Sequence, residues 1–179
     1  MKKIFFSLVV ATMLFACKES AKGPNGVTYK NAVEYNDYIV GKQTKVMQNI
    51  LAFGQIAQSN PDSANKMLDR YAMETEGFIR DIKGMPAYKG DSTLRNAAIN
   101  TFSFYKKIFE NEYKRILKLN ENMTEEASTE ANGIIESITQ DEEKLDKAFH
   151  NAQAEFAKKN NIKLIENSMQ KKMDELNKD

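Results

Sequence analysis

One histidine and one cysteine in 179 residues leave little material for side-chain catalysis. A ferritin-like di-iron bundle draws on two Glu-x-x-His units and further glutamates, which His150 alone cannot supply. Serine and cysteine nucleophiles need a neighbouring base, and the same scarcity removes it. Cys17 has no second cysteine, so no intramolecular disulfide forms. The eight glycines are dispersed rather than gathered into a phosphate-cradling loop. Charge of one sign is missing too: 26 basic residues face 25 acidic ones, whereas nucleic-acid binding calls for a concentrated basic face. Alternation of strand type reaches no useful length.

What is present begins with the leader. Met1-Lys2-Lys3 is followed by an apolar run from Ile4 to Ala16 and then by Cys17. That run is too short for a membrane span, which takes about 20 residues, and suits a signal-peptide core behind a basic start. A single uncleaved anchor helix is the competing expectation. Leu14-Phe15-Ala16-Cys17 resembles the lipobox of a bacterial lipoprotein signal peptide, although Phe15 is bulkier than the small residue usual there. The resemblance implies cleavage before Cys17 and acylation of its sulfur with diacylglycerol, with further chains of the palmitate type. Acylation would also remove the liability of an unpaired thiol in an exported protein. Residues 1–16 are thus expected as a cleaved leader, 17–27 as the acylated cysteine with a flexible tether, and 28–179 as a helical domain. Loss of Lys2 and Lys3 leaves 24 basic against 25 acidic residues, a formal charge of −1.

Prolines 24, 61 and 86 each lie in a breaker cluster, and proline inside a helix costs about 3 kcal/mol. Helical periodicity runs between the clusters. It predicts helices over 31–58, over 62–83 starting at Asp62 or Ser63, over 91–120 and over 124–159, with a shorter one over 163–177 beyond Asn160-Asn161. On the first, Tyr35, Ile39, Val46, Ile50, Phe53 and Ala57 share a stripe that Val40, Met47 and Leu51 widen. On the second the seam is Ala64, Leu68, Tyr71, Thr75, Phe78 and Ile82. The third turns Leu94, Ala98, Phe102, Tyr105, Phe109, Ile116 and Leu119 inward. The fourth does so with Ala127, Ala131, Ile134, Ile138, Leu145, Phe149, Ala152 and Phe156. Asp62, Ser92 and Thr124 are the expected caps. The fold class is therefore all-α: an elongated antiparallel four-helix bundle with a short extra C-terminal helix. Gly41, Gly54, Gly77 and Gly133 fall inside these helices and suggest close helix approaches or slight kinks.

Chemistry is sparse. Asp37, Glu112 and Glu142 lie on or beside apolar seams and would form a polar site if they met, with Thr44 and Thr75 as further polar intrusions. Asp146 and His150, four apart, share a helical face. Phe104 and Tyr113, slightly off their seam, are the better candidates for an exposed aromatic contact. Asp62-Ser63-Ala64 and Asp91-Ser92-Thr93 resemble an exported-protein O-glycosylation tripeptide, with helix capping as the simpler role. Lys18-Glu19 is similar to charged export signals of surface lipoproteins, or is plain solvated linker.

Tyr35-Asn36-Asp37-Tyr38-Ile39-Val40, Gly90-Asp91, Leu94, Ala97-Ala98 and Phe104-Tyr105-Lys106 together resemble a functionally uncharacterised family of bacterial surface lipoproteins. The resemblance implies a helical fold and attachment to the cell outer membrane, surface- or periplasm-facing, and brings no catalytic, cofactor or metal residues. The expected role is a non-enzymatic interaction module held to the membrane by its lipid, with a protein partner and no nucleic acid. The alternative is a carrier of a small apolar ligand or haem, approached by Tyr35, Tyr38, Met47 or His150.

Overall fold

The computed structural model describes residues 20–57, 59–122 and 124–164; Cys17, the leader and the expected helix over 163–177 from residue 165 onward lie outside them. The fold is all-α. A two-residue antiparallel pair, β1 (Ala21–Lys22) and β2 (Thr28–Tyr29), precedes α1 (Ala32–Ala57) and α2 (Pro61–Lys83). The third long helix is α3 (Thr93–Lys107), a π-helical turn (Ile108–Glu112) and α4 (Tyr113–Asn120), and α5 (Glu125–Lys159) closes the bundle. α2 packs on α1 and α3, while α5 lies along α3 and α4. α5 reaches α1 near the latter's start, where Tyr35 stacks on Phe156 and Gln153 donates to Asn36.

Helix starts follow local chemistry. Asn60, not Asp62, caps α2: its Oδ1 accepts from Ser63 N–H at 3.0 Å, with Pro61 in the first turn, where its missing donor costs nothing. Ser92 occupies the cap position of α3 without a side-chain cap bond, and Asp91 Oδ1 accepts from Thr93 N–H instead. Thr124 caps α5 through Ala127 N–H as expected.

The π turn alters the third seam. Tyr113 N–H donates to Ile108 C=O, five residues back, which inserts one residue into the helical repeat. Beyond it the inward face moves by one position: Leu117 is buried, while Ile116 and Leu119 are only half-buried. The same spacing brings Lys107 and Glu112 together at 3.5 Å.

The expected tether is partly docked. Asn25 donates through Nδ2 to Tyr29 Oη at 2.7 Å and to Asp81 C=O at 3.0 Å, and its N–H reaches Gly84 C=O. Gly23 is buried against Gly84 C=O with no room for a side chain. Glycine is required at this contact rather than inside the helices. A Cβ on Gly41, Gly54 or Gly133 would meet nothing within 4 Å, so close helix approach does not explain those residues.

Gly41→Ala and Gly133→Ala should each raise unfolding stability by about 0.5–1 kcal/mol in urea titration; a loss would mean that glycine is needed there. At Gly84 a Cβ would lie 2.8 Å from Asn25 Cβ. Gly84→Ala should therefore cost about 1–3 kcal/mol and open residues 21–27 to limited proteolysis.

Candidate functional site

The carboxylates that might have met do not. Asp37 is exposed on α1 and accepts from Asn36 Nδ2 at 3.2 Å. Asn36 sits beside Gln153, and Glu142 lies eleven residues earlier on α5, about 16 Å along the helix. Glu112 faces Lys107, and its Oε2 is buried without a hydrogen-bond partner among the described residues. Three carboxylates therefore occupy three separate places.

Glu142 builds the best-defined polar cluster. Tyr105, buried on α3, donates to Glu142 Oε1 at 2.7 Å across the interface with α5. Burial pushes the Glu142 carboxyl up, the Tyr105 hydrogen bond draws it back, and the charge of Asp146 raises it again. Tyr105 is itself pushed well up, chiefly by burial and then by Glu142. Burial and Glu142 also move the Tyr113 phenol to about 12. Asp146, one turn beyond Glu142, lies 3.3 Å from His150 Nε2, as their spacing suggested. A carboxyl held in a partly apolar seam keeps its proton to higher pH and ties two helices together. Among the described residues no group of three His, Cys, Asp or Glu side chains is arranged to hold a metal ion.

The aromatic candidates are packed rather than presented. Phe104 and Tyr113 are half-buried against the core, and Tyr113 stacks on Phe53 with ring centroids 4.7 Å apart. Tyr35 donates to Pro86 C=O at 2.8 Å, and burial holds its phenol at about 12. Tyr38 lies edge-on to Tyr29 beneath the Lys42 ammonium. Met47 is buried in the opposite half of the bundle, and His150 is on the outside of α5. These four do not surround one space. Thr75 is buried and returns its hydroxyl to Tyr71 C=O at 2.7 Å, the usual refuge of a threonine inside a helix. Of the two tripeptides, Asp91 is held by Lys159 and Thr93, and Ala64 is fully buried.

Two surface concavities among the described residues are open grooves with charged walls. One of about 560 Å³ between α2 and the third helix carries Asp69, Glu76, Lys106 and Lys114; another of about 650 Å³ between α1 and α2 carries Lys45, Arg70 and Glu74. Sequence periodicity missed the Asn36–Gln153 and Tyr105–Glu142 bonds, because each joins residues 117 and 37 positions apart. The polar intrusions into apolar stripes were the available signal. Comparison with known protein families, with curated proteins and with solved structures finds no match.

Removing the phenol with Tyr105→Phe leaves a half-buried carboxylate short of its donor and should cost about 1.5–3 kcal/mol at pH 7. The folded chain binds the Glu142 proton more tightly than the unfolded chain does. Its contribution to stability therefore rises as pH falls from Glu142's raised value to the ordinary carboxylate range, and is lost as pH climbs back. Glu142→Gln should be more stable than wild type at pH 8, with the difference shrinking by pH 4. Chemical denaturation at both pH values reads this, and a pH-independent difference would refute the assignment.

Proposed function

We propose that the chain is a lipid-anchored cell-envelope protein, cut before Cys17 and acylated there, whose helical bundle serves as a non-enzymatic interaction module at the outer membrane. The observation that carries this is the leader: two lysines, the apolar run Ile4 to Ala16, and Leu14-Phe15-Ala16 directly before the only cysteine. A single acyl chain anchors marginally, and the several chains of a lipoprotein terminus give stable attachment. Among the described residues no helix is long and apolar enough to cross a membrane, so the leader and its lipid are the proposed attachment.

The interaction role is supported by a packed interior together with apolar side chains left on the outside. Phe102, Phe109, Ile39 and Leu68 are fully enclosed, whereas Met73 is 75% and Ile135 49% exposed. The carrier reading is less supported, since Tyr35 and Tyr38 are packed against Tyr29, Met47 is buried in the other half of the bundle and His150 faces outward.

Metabolic labelling with a fatty-acid analogue should mark the wild-type protein and leave Cys17→Ala unlabelled. No label on the wild type, or equal label on both, refutes the anchor. Protease treatment of intact cells then distinguishes a surface-facing bundle, which is digested, from a periplasmic one, which is spared.

A further inference from the structure

Antiparallel packing leaves an excess of basic charge at one end of the bundle. The start of α1, the end of α2, the α2–α3 connection and the end of α5 meet there, beneath the β1–β2 hairpin. Six exposed lysines decorate this end: Lys22, Lys30, Lys83, Lys89, Lys158 and Lys163. None of them has an ion-pair partner among the described residues. The acids near this end that are not held in ion pairs, Glu34, Asp37 and Glu155, are outnumbered by these lysines. Asp81 is held by Lys42, Asp91 by Lys159, and Glu34 accepts from the Lys30 backbone N–H.

Helix dipoles account for Lys83 and Lys158, which sit at helix C-termini. They do not account for the others. Lys22 is on a strand, Lys89 is in a turn at φ 50°, and Lys30 precedes the start of α1, where a cation is disfavoured. The opposite end is mixed: exposed Asp62, Glu121, Glu125 and Glu126 lie there with exposed Lys66 and Lys118. The basic end is also the end nearest the proposed lipid, because four peptide steps from Cys17 to Ala21 reach at most about 14 Å. That reach is comparable to the distance of about 8 Å over which physiological salt screens charge.

We infer that this hairpin end is a docking face for anionic phospholipid headgroups. It rests on the lipid-anchor reading and adds an orientation to it: the bundle stands on its basic end, with the α4–α5 turn pointing away from the bilayer. Each lysine close to an anionic surface strengthens attachment about fivefold at physiological salt. The lipid and the lysines thus hold the same end, and the exposed side chains of α2 and the first half of α5 stay clear of the membrane.

The test uses the mature polypeptide without lipid, residues 18–179, which retains every contact described above. Its helical circular dichroism is checked first for each variant. Co-sedimentation should show binding to vesicles of phosphatidylglycerol and phosphatidylcholine, none to phosphatidylcholine alone, and release in about 0.5 M sodium chloride. Combined Lys30→Gln, Lys83→Gln and Lys89→Gln should weaken binding on the order of a hundredfold, while Lys66→Gln with Lys118→Gln at the far end changes it little. Equal binding to both vesicle types, binding to neither, or an equal effect of the far-end variant overturns the inference. So does displacement by inorganic phosphate beyond that of chloride at matched ionic strength, which would mark a discrete anion site. Because this polypeptide carries no acyl chain, a failed labelling experiment on Cys17 leaves the measurement unchanged, and the two ideas fall separately.

Discussion

Burial of Tyr35 is the constraint on which the hairpin end of the molecule depends. Its ring lies 5.2 Å from Tyr29, 5.1 Å from Tyr88 and 5.4 Å from Phe156, so three regions distant in sequence share one aromatic contact. Edge-on and offset arrangements of this kind add about 0.5–1.5 kcal/mol per pair beyond area burial. The hydroxyl is satisfied by Pro86 C=O, so a polar atom is buried with a partner. Tyr29 brings the hairpin, Tyr88 the α2–α3 connection and Phe156 the end of α5. Tyr88 and Phe156 also touch each other at 5.4 Å, so the central ring completes a cluster whose outer members are in contact.

The other half of the bundle is held differently. Phe53, Tyr113, Phe109 and Tyr71 form the second aromatic run, and the π turn aims Tyr113 and Leu117 at it. α5 participates unevenly in the two halves. Its last turns bury Phe149, Ala152, Phe156 and Ala157, but between Glu125 and Ala148 only Ala131 is buried. That longer stretch rests on α3 and α4 through Tyr105–Glu142 and Arg115–Glu130. Polar bonds contribute modestly in exchange with water, so the first half of α5 is the less firmly held part and the one presenting Ile135 outward.

Charge distribution links the fold to the proposed attachment. Near-neutral overall charge concealed a local excess, because lysines scattered along the chain gather at the hairpin end once the helices fold back on themselves. Residues 22, 89 and 158 become neighbours of one surface only through that folding. A lipid at Cys17 and lysines beside the hairpin would then restrain the same end of the bundle.

Helix positions were legible in the chain because the apolar stripes of α1, α2 and α5 repeat at helical spacing and proline clusters interrupt them. The register after Phe109 was not legible: a π turn adds one residue, and beyond it Tyr113 packs on Phe53 and Leu117 enters the core in place of Ile116 and Leu119. Docking of residues 21–27 was equally hidden, because it depends on Gly23 meeting Gly84 and on Asn25 reaching Asp81, contacts that no local pattern encodes. Sequence by itself determined the helices and the inward faces of α1, α2 and α3, since 3.6-residue periodicity is local physics. Tertiary structure alone decided which polar groups pair and which charges share a surface, since pairing across long separations exists only after the chain has closed upon itself.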